Sequence, residues 1–361
     1  MTTRGGRIPP RLVDWTLLAL VVAAAGTGVV SLGAGHPVLA PLFDAHALVG
    51  LALVAVLAVK LRRVAPRVTN GRAWDRATPV SVALAVVALA ALGTGVFWSF
   101  GGNVPVFFWT TLNVHVGLGL LVVPLLLVHL LARASWPTAS EVRPGDRRAA
   151  VRYLGLLLAG AVAVRAQGTV RALADLAADR RFTGSRPAGD LYDGTDFPVT
   201  SWVADDPDPV AVDDWRLSVG GRVDDPRTFD YATLRDAGQT ETALLDCTSG
   251  WYTERPWRGV RVGSLLDAAG VDDDAAWVVV RSVTGYRWSF PLDEAREMLL
   301  ATHVDGAPLS HGPGAPLRLV APDRRGFQWV KWVTELRVSR RRDASQYLAT
   351  LVSGFGRSRR S

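Results

Sequence analysis

The chain of 361 residues is long enough for two or three domains, and 49% of its residues are hydrophobic. Nearly all of the long apolar runs lie before about residue 166, while the remainder mixes Trp, Asp, Pro and Gly as soluble domains do. Much of the basic excess behind the net charge of +7 flanks the apolar runs. This pattern argues against nucleic-acid binding and predicts a membrane domain followed by a globular domain.

Four segments are apolar and long enough to cross a bilayer, and a weaker fifth follows them. They cover roughly 12–32, 44–61, 79–100, 112–132 and, for the fifth, 149–166. Arginines are concentrated before the first segment, between the second and third, and after the fourth, so the positive-inside rule places the N-terminus in the cytoplasm. Five spans then place the globular domain outside the cytoplasmic membrane, whereas four spans keep it inside.

The first four segments form an internal duplication of one helical hairpin. The sequence GTGV at 26–29 recurs at 93–96, and His46 of the second segment recurs as His115 of the fourth. The repeat therefore places these two histidines at equal depth on parallel helices. Two facing imidazoles are the axial ligands that a haem b iron needs, so haem is one interpretation. Histidines that form hydrogen bonds across the helices are the other.

A further histidine, His129, lies 14 residues after His115, on the same helix face and about 21 Å deeper. The repeat places Lys60 at the matching position, where a second haem iron needs another histidine. Lys60 is equally explained as an interfacial anchor. In topology and histidine spacing this half resembles the four-helix cytochrome b membrane anchors of respiratory enzymes, which implies exchange of electrons with quinol.

Arg147 and Arg148 precede the fifth segment, in a pattern similar to a twin-arginine export signal. Ala150 and Val151 replace the usual phenylalanine and leucine, so an ordinary basic flank is the alternative. Either interpretation keeps the segment as an anchor, because no clear small-residue cleavage site follows it. We divide the chain into a four-helix membrane domain (1–140), a connecting segment (141–181), a globular domain (182–340) and a basic tail (341–361).

After residue 181 short β-rich runs alternate with turn residues and short helices, which is typical of an α+β domain. The predicted strands are 215–223 (with a Gly-Gly turn inside), 243–246, 277–282, 286–290, 317–321 and 330–338, and the predicted helices are 229–237, 262–269 and 292–301. Cys247, the only cysteine, follows a strand in a polar loop. A lone cysteine is usually a buried apolar residue, but in such a loop it is a candidate nucleophile or soft metal ligand.

Several motifs follow one another in the globular domain: FPVTSW (197–202), DWRL (214–217), DCTSGWYTERPWRGV (246–260), SVTGYRWSFPL (282–292), HGPGAPLRLVAP (311–322) and GFQWVKW (326–332). In this order they resemble the molybdopterin-binding domain of the sulfite oxidase family, especially its exported bacterial branch. The resemblance implies that Cys247 is the molybdenum ligand and that Tyr286 is catalytic. It also implies a set of residues that contact the pterin cofactor: Thr200, Ser201, Ser282, Thr284, His311, Arg318, Gly326, Phe327, Gln328, Trp329 and Lys331.

The same resemblance argues against sulfite as the substrate. Sulfite-oxidising members carry an Asn-Arg-Arg run after the cysteine loop, and its arginine helps to hold the anionic substrate. The sequence here is GWYTER (250–255), so sulfite is not predicted. We expect a multi-pass enzyme of the cell membrane that carries out two-electron oxygen-atom transfer on a small molecule outside the cytoplasm. The alternatives are the same molybdoenzyme without haem, served by a separate electron partner, and a non-catalytic binding or sensor module.

Overall fold

The computed structural model describes most of the chain as two compact units, 1–186 and 187–361. The described residues are 10–100, 102–106, 109–133, 155, 162, 166, 179–191, 197–200, 205–236 and 238–353. Apart from three isolated positions, the predicted fifth span lies outside the described residues. So do five residues named above: Arg147, Arg148, Ala150, Val151 and Ser201.

The first unit contains four long helices: α1 (Pro10–Leu32), α2 (Ala40–Val68), α3 (Thr78–Ser99) and α4 (Thr111–Arg133). They confirm the four predicted apolar segments, and each is long and apolar enough to cross a membrane. Two short strands, β1 (Pro105–Val106) and β2 (Trp109–Thr110), precede α4. Helix α2 continues seven residues beyond the predicted end at residue 61, because the apolar run ends there while the backbone hydrogen bonds continue to Val68.

The four helices pack as two hairpins, α1 against α2 and α3 against α4, as the duplication predicts. Few of their side chains are buried, and large apolar residues such as Val22, Val86 and Leu127 are exposed. Exposed apolar surface of this extent is typical of a protein that contacts lipid or another protein.

The second unit is built on two sheets joined by short helices. Strand β3 (Arg186–Pro187) and helix α5 (Ala188–Leu191) stand at its start. The first sheet contains β6 (Gln239–Asp246), β7 (Trp251–Arg261), β10 (Leu299–Val304), β11 (Ala307–Pro308) and β12 (Arg318–Val320). Within it β7 pairs with both β6 and β10, and β10 also pairs with β12.

The second sheet has the order β5-β4-β13-β8-β9. Its strands are β4 (Arg216–Gly221), β5 (Arg227–Asp230), β8 (Trp277–Ser282), β9 (Arg287–Pro291) and β13 (Val333–Ser339). Helices α6 (Tyr231–Asp236), α7 (Val262–Ala269), α8 (Leu292–Glu297) and α9 (Gln346–Val352) complete the unit. The four-helix region followed by an α+β domain agrees with the predicted fold class.

Three predicted elements were wrong. The helix predicted over 292–301 ends at Glu297, and the apolar run from Leu299 becomes the central strand β10, whose side chains are buried on both faces. The Gly-Gly pair is not a hairpin turn; it ends β4, where Gly221 has a positive φ and packs against the backbone of Val338. The helix predicted over 229–237 begins only at Tyr231, because residues 227–230 pair with β4.

Candidate active site

Cys247 lies directly after β6, in the tight loop that leads into β7. Its side chain is buried, with the sulfur 3.3 Å from the Thr200 hydroxyl oxygen and 3.4 Å from the Ser249 backbone nitrogen. The Cys247 amide donates to the Trp251 carbonyl at 2.8 Å, and Gly250 takes the positive φ that closes the loop. The fold therefore fixes the thiol among polar groups at the end of a buried strand.

A buried ion pair holds this loop from behind. The Asp246 carboxylate lies 2.7 Å from the Arg325 guanidinium, and both side chains are almost completely buried. Arg325 also donates to the Cys247 carbonyl at 3.2 Å. Gly326 comes next, and a Cβ on it would lie 3.0 Å from the Cys247 Cα. Sequence reasoning missed Asp246 and Arg325, although an acidic residue beside the cysteine at a strand end was a visible signal.

Two cations lie near the thiol. Arg318 is buried, and its guanidinium carbon lies 5.6–5.9 Å from the ring centres of Phe197, Trp257 and Trp329. Burial lowers the pKa of Arg318 to about 10, and the nearby Cys247 opposes that change. A cation held without a carboxylate partner in aromatic surroundings is suited to receive an anionic ligand.

Lys331 is the second cation, and its ammonium donates to the Thr200 carbonyl at 2.8 Å. Burial, and to a lesser extent repulsion from Arg318, lower its pKa to about 7, while Cys247 and the carboxylates of Asp205 and Asp206 act in the opposite direction. The fold therefore brings the predicted residues Thr200, Arg318 and Lys331 together around Cys247.

The depressed pKa of Lys331 predicts how stability depends on pH in the cofactor-free protein. Between pH 7 and about 10.5 the unfolded lysine binds a proton that the folded one has released, so unfolding free energy from this group rises with pH. Lys331→Met should flatten that rise, measured as urea unfolding of the full chain at pH 7, 8 and 9. Lys331→Arg should flatten it too, because arginine does not titrate in this range. Unchanged slopes in both variants would contradict the assignment.

The turn between β8 and β9 carries three predicted residues. The Thr284 hydroxyl donates to the Ser282 hydroxyl at 3.1 Å, and the Tyr286 amide donates to the Thr284 hydroxyl at 3.3 Å. The Tyr286 hydroxyl donates to the Phe327 carbonyl at 2.5 Å, and burial raises the pKa of the phenol. Tyr286 thus supports the turn at 326–328, and its catalytic role stays a prediction.

The side chains of the turn at 326–329 form contacts within the protein. Phe327 packs edge-on against Trp288, with ring centres 5.0 Å apart. The Gln328 side-chain oxygen accepts from the Arg325 amide at 3.1 Å, and the Trp329 indole donates to the Arg324 carbonyl at 3.2 Å. The amides of Gln328 and Trp329 also donate within the turn, to the carbonyls of Arg325 and Gly326.

Several buried polar atoms near the thiol have no hydrogen-bond partner among the described residues. They are Arg318 Nε, Asp205 Oδ1, His311 Nδ1 and Trp251 Nε1. Buried polar atoms are normally paired, so a cluster of such atoms indicates that a polar ligand belongs there. A pterin with its phosphate offers both donors and acceptors, and therefore fits this set of residues.

Asp205 is a further member of this cluster that sequence reasoning missed. Its carboxyl is 8% exposed, and burial raises its pKa, against the opposing effects of the Thr284 hydroxyl and of Lys331. His311 lies beside it: the ring packs on Trp332 with centres 5.4 Å apart, and Nε2 lies 3.7 Å from the Asp206 carboxylate.

The histidines of the first unit form a separate arrangement. The ring centres of His46 and His115 lie 6.0 Å apart with their planes at 78°. His46 Nδ1 lies 2.9 Å from the Thr27 hydroxyl, and His115 Nδ1 lies 2.9 Å from the Ala91 carbonyl. Both rings therefore use Nδ1 in a polar contact with a neighbouring helix.

The glycines of the duplicated GTGV motif make room for these rings. A Cβ on Gly28 would lie 3.1 Å from the His46 ring, and one on Gly95 would lie 2.8 Å from the His115 ring. At the inner end the repeat is not symmetrical. His129 Nδ1 lies 3.0 Å from the Ser81 hydroxyl, while the Lys60 ammonium is paired with the Asp14 carboxylate at 2.5 Å.

Comparisons with known proteins concern mainly the second unit. The family described as "Oxidoreductase molybdopterin binding domain" matches residues 204–347. The chain is 32% identical over 143 residues to an uncharacterized oxidoreductase, YuiH, of Bacillus subtilis, which covers 38% of this chain and 72% of that protein. The chain belongs to the molybdopterin-binding oxidoreductase family. Cys247, Tyr286, Arg318 and Lys331 all lie within the matched range, whereas His46 and His115 lie outside it.

The chain is also similar to two other proteins over a smaller share of their length. The catalytic subunit MsrP of a protein-methionine-sulfoxide reductase from Xanthomonas axonopodis is 31% identical over 142 residues, which is 34% of this chain and 44% of MsrP. The sulfane dehydrogenase SoxCD of Paracoccus pantotrophus is 26% identical, with a TM-score of 0.36 over 37% of this chain and 40% of the SoxCD chain. The chain thus spans less than half of both proteins.

Proposed function

We propose that the second unit holds a molybdenum cofactor at Cys247 and acts as an oxidoreductase on a small molecule. The observation that carries the proposal is the buried thiol with two cations beside it, Arg318 and Lys331, whose charges both interact with Cys247. A soft thiolate suits a redox-active metal, and coordination keeps it deprotonated. Arg318 and Lys331 would bind the anionic phosphate of the cofactor.

The remaining contacts follow from the same geometry. The hydroxyls of Thr200, Ser282 and Thr284 would bind the pterin rings, and the predicted contacts from Gly326, Phe327, Gln328 and Trp329 belong to the same proposal. The predicted contacts from Ser201 and His311 belong to the same proposal. When bound, the cofactor supplies two-electron oxygen-atom transfer, and the protein supplies the thiolate, the charge balance and the shielding from water.

We propose reduction of a sulfoxide as the reaction. This proposal is based on the similarity to MsrP, the catalytic subunit of a protein-methionine-sulfoxide reductase. The balanced half-reaction takes two electrons and two protons and releases a thioether and water. Sulfite is disfavoured because the sequence GWYTER (250–255) supplies no Asn-Arg-Arg run. Two other arginines of this unit already have carboxylate partners: Arg255 lies 3.2 Å from Asp305, and Arg287 lies 2.6 Å from Asp343.

The substrate proposal is tested by offering both reaction directions to one preparation. Membranes containing the full chain are assayed with reduced viologen and methionine sulfoxide, and in parallel with sulfite and ferricyanide. We expect viologen oxidation that depends on the sulfoxide and is lost in Cys247→Ser membranes. Sulfite oxidation without sulfoxide reduction would contradict the proposal.

The first unit is proposed as a membrane anchor that exchanges electrons with quinol through haem b. His46 and His115, whose ring centres lie 6.0 Å apart, are the residues that would hold the haem iron. Metal-bound histidines usually engage their other ring nitrogen in a hydrogen bond, as both Nδ1 atoms do here. The basic loops support an extracytoplasmic second unit, provided that the fifth segment crosses the membrane.

The haem proposal predicts a spectroscopic difference between histidines. His46→Ala or His115→Ala should remove the haem absorption band of detergent-purified protein, because each replacement deletes one proposed axial ligand. His129→Gln is the matched control and should leave the band in place, since its counterpart in the repeat is Lys60, which is paired with Asp14 and supplies no second imidazole. A band that survives in both alanine variants would remove these residues as ligands.

A further inference from the structure

Helix α9 (Gln346–Val352) is attached to the second unit by its polar face. Gln346, Ala349 and Ser353 are 0–4% exposed, and the Gln346 side chain accepts from the Ser289 amide at 3.0 Å. Three large apolar side chains of the helix stay exposed: Tyr347, Leu348 and Val352 are 50–61% exposed, although the Tyr347 ring also packs against Trp288 with ring centres 5.6 Å apart. This is the reverse of the usual amphipathic helix, which buries its apolar face.

The orientation of α9 is fixed by contacts at its start. Arg287 lies 2.6 Å from the Asp343 carboxylate and donates to the Ser345 hydroxyl at 2.6 Å. Rotating the helix to bury its apolar residues would break these bonds and the Gln346 bond. Tyr347, Leu348 and Val352 therefore form a lasting exposed patch, here called the α9 face. They are three of the five large apolar residues exposed among the described residues of the unit.

Positive charge lies beside the α9 face. Arg340, Arg341 and Arg342 precede the helix and are all exposed, and Arg340 is paired with the Asp274 carboxylate. The Arg342 guanidinium lies 5.2 Å from the Tyr347 ring centre, which joins the arginine run to the apolar patch. In the sequence three more arginines follow the helix, at 357, 359 and 360. An apolar patch with a tyrosine and flanking arginines matches the chemistry of a lipid interface.

We propose that the α9 face docks the second unit onto an anionic phospholipid surface. The aliphatic side chains would enter the headgroup region while the arginines pair with lipid phosphates. Charge complementarity favours this occupant over a neutral protein surface, and the four apolar helices of the same chain would keep the unit close to lipid. The inference depends on the proposed membrane anchoring only because the anchor would keep the second unit close to lipid.

The test uses the full chain with Leu348→Cys carrying a nitroxide label. Cys247, the only native cysteine, is buried, and the unlabelled parent chain is the blank. The labelled protein is placed in phosphatidylcholine vesicles with or without phosphatidylglycerol, and accessibility to oxygen and to a water-soluble nickel complex is compared. Val212→Cys is the matched control, because Val212 is also an exposed aliphatic residue of the unit.

With phosphatidylglycerol present, we expect the label at 348 to lose nickel accessibility and gain oxygen accessibility, while the label at 212 stays accessible to nickel. Arg341→Gln should weaken docking about fivefold, because one basic residue near an anionic surface strengthens binding by about that factor. A label at 348 that stays accessible to nickel in both lipids would overturn the proposal. Equal protection without phosphatidylglycerol, or protection in detergent that grows with protein concentration and so indicates a second copy, would also overturn it.

Alkaline carbonate extraction separates this outcome from failure of the anchor. A chain that resists extraction while its label stays accessible to nickel has an anchor but no docking at α9. A chain that carbonate releases from the membrane lacks the anchor. Docking at α9 would then still be supported if anionic vesicles, but not neutral ones, protect the label.

Discussion

Cys247→Ser is expected to abolish molybdenum-dependent turnover while leaving the fold in place. The loss of turnover should exceed the roughly 10- to 100-fold effects that are typical when a residue supporting a metal ligand is replaced. The reason is that serine presents a hard, protonated hydroxyl where a soft thiolate is proposed to bind the metal. Turnover with reduced viologen, measured per mole of folded protein, is the direct readout.

The same substitution should change stability little, because the two side chains are similar in size and Thr200 offers the new hydroxyl a hydrogen-bond partner 3.3 Å from the present sulfur. We expect a change within about 1 kcal/mol in the free energy of unfolding of the cofactor-free chain. Thr248→Ser is the matched control in the same loop and should keep activity. Turnover of Cys247→Ser at the parent level would exclude thiolate ligation.

Breaking the Asp246–Arg325 pair is expected to have the largest effect on stability. Arg325→Met leaves the Asp246 carboxylate buried without its cation, at a cost of about 3–5 kcal/mol. The same replacement removes the bond to the Cys247 carbonyl, so the cysteine loop should loosen first. Urea unfolding followed by tryptophan fluorescence measures the cost.

A double-mutant cycle separates the pair from its surroundings. Asp246→Asn combined with Arg325→Met should cost less than the sum of the two single replacements, because no unpaired buried charge remains. Arg227→Met is the surface control: Arg227 pairs with Asp225 at 2.6 Å, but the side chains are 51% and 61% exposed, so the loss should stay below about 1 kcal/mol. Additive costs in the cycle would show that the pair is not coupled.

Local signals predicted those elements whose sequence and packing agree. Helix α7 begins and ends at the predicted residues because an apolar periodic run is closed by Gly270, which has a positive φ. Strand β7 was not predicted, since Pro256 and several charged residues interrupt its pattern. Its pairing with both β6 and β10 places it inside the sheet in spite of its composition, which is a tertiary effect that no local window contains.

The site divides in the same way. Cys247, Arg318 and Lys331 were predicted from motifs, and the fold places them together around Thr200. The Asp246–Arg325 pair joins positions 79 residues apart, and the burial of Asp205 depends on side chains from several loops. Burial of this kind arises only when the loops meet, so the residue types alone do not indicate it.

The central claim is that this chain binds one molybdenum cofactor at Cys247. The most direct test is elemental analysis of molybdenum in full-length protein purified in detergent from cells that load other molybdoenzymes, with Cys247→Ser prepared in parallel. The account predicts close to one molybdenum per parent chain and a strongly reduced content in the variant. A parent chain without molybdenum, in cells where a known molybdoenzyme is loaded, would contradict the account and leave Cys247 as a packing residue of a binding module.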